Sequence, residues 1–308
     1  MSSSTTHSST YAAAQATTRC PGQPHIPSEI DPSKMSYTEV KPMGNGLGKT
    51  CYVNYEGGPL LLELPWMTTW DGIALPPAEY RNENSPPKYS IQFSLKGHKG
   101  DQPEVRDFFD CMTGIQTQVL NDACTNSMQW LKKSKMTPEV AEAILSPLVK
   151  IALDKDTGEV LEQYPPKFKV KVPFWDGKYD CTVFKSGTRA PLTGDLSEQV
   201  CGRMDARAIV KCAGLWFVDS KFGMSWKLVQ MEYRTVEQAG LASYAFRDPT
   251  PEMEDGGNGA GDTVKVDVSG GNDDNDDNDD NDGNDTDAAG VEEDDVLEDD
   301  EIVDSDME

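Results

Sequence analysis

The feature that most limits how this chain can fold is the run over residues 205–234, DARAIVKCAGLWFVDSKFGMSWKLVQMEYR. β-branched and aromatic residues crowd residues 208–218 and again 222–234, with Asp219, Ser220 and Lys221 between them. Two such runs around a short polar stretch predict a long β-hairpin. Its glycines, Gly214 and Gly223, fall inside the strands, where glycine marks a bulge, a bend or the close approach of another backbone.

The hairpin also mixes rings with cations. Trp216, Phe217, Phe222, Trp226 and Tyr233 are interleaved with Lys211, Lys221, Lys227 and Arg234. Core packing is the ordinary use of aromatic residues on a half-buried strand. Flat π faces beside positive charge are also what an unpaired nucleic-acid strand requires, rings for the bases and cations for the phosphates.

Charge is divided unevenly. The chain of 308 residues has a net charge of −25, and residues 248–308 alone hold 26 acids and one base, Lys265. The remainder is neutral, and within it residues 164–247 carry 13 bases against 8 acids. A basic region joined to an acidic tail leaves a nucleic-acid partner open despite the acidic total. Seven widely spaced cysteines include no CxxC pair, so neither a zinc ribbon nor a dithiol redox motif is supported. Reduced thiols in an intracellular compartment fit that pattern. No run reaches the ~20 apolar residues of a membrane span, and the polar start MSSSTTHSST lacks the apolar region of a signal peptide.

Along the chain, residues 1–34 are Ser/Thr-rich and then Pro-rich, which predicts a disordered arm with structure beginning near Met35. The stretch GNGLGKT over residues 44–50 resembles a phosphate loop but fails it. Met43 stands where the first glycine is needed, and a strand-like segment follows in place of a helix. Residues 66–87 predict a loop carrying Trp66 and Trp70, able to cover the core or flank a groove. Tyr89, Ile91, Phe93 and Leu95 alternate with polar residues and predict a strand. Val105, Phe108, Phe109, Met112, Ile115, Val119 and Ala123 have helical spacing, predicting a helix over residues 104–132. Thr137 and Pro138 open a second helix to about residue 145. Residues 148–153 and 159–164 predict a hairpin around Asp154–Gly158.

The segment PPKFKVKVP alternates without interruption, placing Phe168, Val170 and Val172 on one face and Lys167, Lys169 and Lys171 on the other. Lysines on a strand are commonly a solvated face; three in register beside the hairpin would also make a phosphate track. A turn at residues 175–178, a strand over 179–185 and a short helix over 195–201 complete the body. Strands, two helices and further strands predict a mainly β fold with inserted helices: an OB-fold-like five-stranded Greek-key barrel. Residues 35–247 form the domain, and residues 248–308, with their NDDNDDNDDND repeat, a disordered acidic tail. A calcium loop fails there, because the register that puts Gly283 at the sixth position puts Ala289 where a glutamate is required.

The segments YPPKFKVKVPFWDGKYDCTVF and IVKCAGLWFVDSKFGMSWKLVQ, followed by an acidic C-terminus, resemble the single-stranded DNA-binding proteins of large nucleocytoplasmic DNA viruses, relatives of the acidic-tailed phage proteins. The resemblance implies an OB-fold that binds single-stranded DNA without sequence preference in viral replication, recombination and repair. It also implies a tail that competes with DNA and docks replication partners such as polymerase, helicase or primase. This tail lacks the terminal aromatic residue of the phage proteins. The expected base-stacking residues are Trp175, Tyr179, Trp216, Phe222 and Trp226. The expected phosphate contacts are Lys167, Lys169, Lys171, Arg203, Arg207, Lys211, Lys221 and Lys227. No cofactor or metal is expected. No set of catalytic roles can be filled, His7, His25 and His98 being scattered, so an enzyme is not expected. Single-stranded DNA and replication proteins are the expected partners, at the site of viral replication in the host cell (nucleus or cytoplasmic factory). The alternative is an acidic-tailed protein-interaction or histone-chaperone-like protein. Self-association is left open.

Overall fold

A computed structural model describes residues 22–44, 46, 48–78, 81, 86–100, 102–154 and 157–236, and these are mainly β. Residues 1–21 of the arm expected over residues 1–34, and the acidic tail, lie outside the described residues. The first half supplies short strands: β1 (Met35–Tyr37), β2 (Lys41–Pro42), β3 (Gly48–Cys51), β4 (Val53–Tyr55), β5 (Gly58–Pro59), β6 (Leu61–Glu63), β7 (Met67–Thr69), β8 (Ile73–Ala74) and β9 (Tyr89–Ser94). Three helices follow, α1 (Pro103–Thr125), α2 (Ser127–Leu131) and α3 (Pro138–Ile144). Then come β10 (Lys167–Val172), β11 (Phe174–Trp175), β12 (Lys178–Tyr179), β13 (Thr182–Lys185), α4 (Leu196–Gln199), β14 (Met204–Val218) and β15 (Lys221–Thr235).

Five of these strands close on themselves. β7 pairs with β9, β9 with β10, β10 with β15, β15 with β14, and β14 with β7. All contacts in the ring are antiparallel except β10 with β15. Counted along the chain, the ring runs first, second, third, fifth, fourth and back to first. β6 extends the first strand along β14. Between Glu63↔Ile209 and Met67↔Ala206 that first strand advances four residues while β14 advances three. The extra residue falls at Pro65-Trp66, and Pro65 has no N–H to give to a ladder, so this is where a bulge is tolerated.

The hairpin closes more tightly than the sequence suggests. Val218 pairs with Lys221, leaving only Asp219 (φ 46°) and Ser220 (φ 69°) in the turn. Positive φ at both central residues matches the right-handed twist of the flanking strands. Lys221, expected in the turn, therefore joins the strand. Both interior glycines have a steric reason. Gly214 follows a register shift at φ 125°, where a Cβ would lie 2.4 Å from the Cys51 carbonyl oxygen. Gly223 faces Trp216 across the ladder, and a Cβ there would meet the indole ring at 2.5 Å.

The alternation of β10 is realised as read: Phe168, Val170 and Val172 are buried and the lysines point away. Phe108 of α1 packs edge-on against Phe168 (5.2 Å between ring centroids), and Phe168 against Trp226 (6.0 Å). α1 thus lays its apolar stripe on the ring's interior residues. The predicted single helix over 104–132 is broken at Asn126 (φ −97°, ψ 15°), so α1 and α2 are separate. The expected hairpin over 148–164 is reduced to one bridge, Leu153↔Val160. The loop predicted over 66–87 contributes β7 to the ring, its alternation being too short to stand out. Gly48, Lys49 and Thr50 lie on β3, in agreement with rejecting a phosphate loop. Order also begins before Met35: the His25 amide donates to the Leu61 carbonyl, and the Asp31 amide to the Tyr55 hydroxyl. No helix among the described residues is long and apolar enough to cross a membrane.

Candidate nucleic-acid interface

The outer face of the ring is set by the two-residue period of its strands. Along β14 the outward positions are Asp205, Arg207, Ile209 and Lys211, between buried Met204, Ala206, Ala208, Val210 and Cys212. On β15, Lys227 lies between buried Trp226 and Leu228. The registers then bring three cations abreast. Lys211 of β14 is opposite Lys227 of β15, and Lys227 is opposite Lys171 of β10. Ser90 of β9 flanks Lys171, and Leu61 of β6 flanks Lys211. The row therefore sets three ammonium-bearing side chains side by side across three adjacent strands. Lys169 and Lys167 continue the same face of β10, opposite Gln92 and Ser94 of β9. Lys221 is exposed at the tip of the hairpin.

Farther along the same face the cations are arginines and are paired with carboxylates. Arg207 donates to Glu232 through Nη2 (2.7 Å) and Nε (2.9 Å), with Glu63 at 3.9 Å. That guanidinium holds the Glu232 carboxyl below the usual glutamate range. Arg234 donates to Asp205 at 3.2 Å, and Thr68 Oγ1 donates to the other oxygen of Asp205 at 2.9 Å. Arg207 and Arg234 both lie over the Trp66 ring, at 5.4 and 4.6 Å, and Arg203 lies over Trp70 at 4.7 Å. Sequence reasoning placed Trp66 and Trp70 in a loop and did not single them out as stacking residues; nor was Arg234 included. The signal was the spacing in Trp-Met-Thr-Thr-Trp, which puts Trp66, Thr68 and Trp70 on one face of a strand.

Three of the expected stacking rings are inside, which corrects that expectation. Phe222 is 0% exposed, Trp226 2% and Trp216 8%. Phe222 stacks on Phe217 at 6.2 Å, Trp226 packs on Phe168, and Trp216 covers Gly223. Their faces are occupied by protein. Strand alternation forces this for Trp226 and Phe222, whose neighbours Lys227 and Lys221 take the outer positions.

The other two expected rings are on the β11–β12 hairpin. Trp175 is half-buried opposite Lys178, across a turn in which Asp176 and Gly177 have positive φ. Tyr179 is packed against Tyr89 (5.2 Å) and Phe174 (4.7 Å), and its hydroxyl donates to Asp195 (2.8 Å), the residue that caps α4. Partial burial raises the Tyr179 phenol, and hydrogen bonds from Ser197 and Tyr179 hold Asp195 below the usual carboxylate range. Tyr179 is therefore engaged in holding this corner together, while Trp175 keeps a partly open face. Burial pushes the thiols of Cys51, Cys111, Cys181 and Cys212 up to about 12, which makes them poor nucleophiles. Among the described residues no group of His, Cys, Asp and Glu side chains is arranged to hold a metal ion.

No protein-family model matches this chain, and no curated protein matches it. Solved structures with some likeness are single-stranded DNA-binding proteins of phages. One from bacteriophage Enc34, in complex with ssDNA, is 14% identical with a TM-score of 0.37, over 62% of this chain and 92% of that one. Another is gp2.5 of bacteriophage T7, 14% identical with a TM-score of 0.35, over 61% of this chain and 98% of that one. Likeness at this level decides neither the fold nor the ligand of this chain.

Proposed function

We propose that the ring is an OB-fold and that the chain binds single-stranded DNA without sequence preference. The order of the ring, with its third and fifth strands parallel, supports the fold assignment. One observation carries the ligand: Lys171, Lys227 and Lys211 stand abreast on three adjacent strands. A row of cations across a sheet tracks a phosphate backbone and is indifferent to base identity. Lys167, Lys169, Lys221, Arg203 and Arg207 extend the contact, and Trp175 offers a ring at its margin. Residues up to 247 form the binding domain and residues 248–308 its acidic competitor. The tail also docks replication proteins, and the setting is replication, recombination and repair of a viral genome inside the host cell.

The test is binding of a labelled oligo-dT by the full chain and by a chain ending at Arg247, over a series of salt concentrations. With about four phosphates engaged, log affinity falls with log salt at a slope near −2.8. The truncated chain binds more tightly at low salt, and the difference narrows as salt screens the tail. Weaker binding after truncation overturns the competitor role. Capture of core histones with no affinity for oligo-dT overturns the DNA-binding reading and favours a histone-chaperone-like protein, the reading to which the acidic tail alone would point.

A further inference from the structure

Resting on that reading, we infer that Trp66 and Trp70 are two base-stacking positions of a subsite separate from the lysine row. Both belong to the face of the first ring strand that also presents Thr68, while buried Met67 and Thr69 face the core. β14 runs antiparallel beside it with Thr68 opposite Asp205, so its outward arginines fall level with the two indoles. Arg207 lies over Trp66 and Arg203 over Trp70. Trp70 is 49% exposed, an uncommon state for the largest apolar side chain.

The arrangement repeats a unit of one ring and one guanidinium. The ring supplies a π face for an unpaired base, and the guanidinium supplies either a second planar face or a contact to the adjoining phosphate. Four residues of strand separate the indoles by about 13 Å, so each takes its own base. At the Trp66 position the arginines are already held by Glu232 and Asp205. Those carboxylates fix the guanidinium planes without the ligand and neutralise much of their charge. Stacking should therefore outweigh phosphate attraction at this end of the face.

That difference provides the test. Oligo-dT affinity and its salt dependence are measured for the full chain and for Trp70→Ala and Trp70→Phe. Trp70→Ala is expected to weaken binding roughly 5- to 150-fold with the salt slope unchanged, because a lost stack releases no counterions. Trp70→Phe keeps a π face and retains most of the affinity, which a lost indole hydrogen bond or a misfolded strand would not permit. Wild-type affinity in Trp70→Ala overturns the subsite and leaves DNA binding by the lysine row intact. A shallower slope in Trp70→Ala also overturns it, since the residue would then be acting through the arginine. A full chain with no affinity for oligo-dT overturns the underlying reading itself.

Discussion

The two faces of the β14–β15 hairpin carry opposite chemistry within the same residues of chain. Inside are Val210, Cys212, Trp226, Leu228 and Met231, closed over by β10 and α1. Outside, alternating with them, are Arg207, Lys211, Lys227 and Arg234. The inner face is apolar and ring-filled; the outer is charged, with its rings lent by Trp66 and Trp70, the residues on either side of β7. The lesson is that an aromatic residue beside a cation in sequence is not beside it in space when both lie on a strand. Adjacent residues point to opposite sides.

The largest expected effect probes the inner face. Phe222→Ala removes a fully buried ring and should cost about 3–5 kcal/mol of unfolding free energy, read by denaturant titration. A variant with unchanged stability and lowered oligo-dT affinity would break the comparison. Next is the outer face: replacing Lys171, Lys211 and Lys227 together with glutamine should reduce the salt slope by about 2. The folded state should keep its stability to within about 0.5 kcal/mol, because the three side chains lie on the outer face and not in the core. A steep loss of stability would show that the row serves packing. Third, Gly223→Ala sets a methyl group against the Trp216 ring and should destabilise by about 1–3 kcal/mol, with a shift in tryptophan emission. No change would mean that Trp216 can lift away and expose a face.

The smallest effect is on pH. The Glu232 carboxyl is held below its ordinary value by Arg207. The stability this pairing contributes is complete above the unfolded glutamate pKa, about 4.3, and is lost as pH falls through the lower folded value. Glu232→Gln should flatten that part of the dependence of Tm on pH. An unchanged acid limb would mean that the Arg207 contact contributes nothing to folding, in line with many exposed pairs.

Much of this architecture was legible beforehand. The unbroken alternation of β10 identified Lys167, Lys169 and Lys171 as outward and their neighbours as core, because a strand covered on one face must alternate. The long hairpin was legible for the same reason. The outward placement of the lysines was legible in the alternation, whereas three of the rings expected beside them are buried. Assigning both Lys227 and Trp226 to one surface ignored the same two-residue period that had worked for β10. Trp66 and Trp70 were missed because β7 is only three residues long and stands next to Pro65. So short a strand has too little alternation to be recognised before its partner is known. The two-residue turn was hidden because Asp219 and Ser220 carry no glycine to announce positive φ.

The one-residue slip beside Pro65 decides which way the indoles point. Continued without it, the register of β6 would set Trp66 against Ala206 and Trp70 beyond it toward the buried side of the sheet, and would turn Met67 and Thr69 out to water. A single inserted residue thus acts as a parity bit for everything that follows in the strand. Losing the slip with the full chain length kept would turn both indoles inward, whereas removing Pro65 along with it would leave Met67 opposite Ala206 and the outer surface as it is.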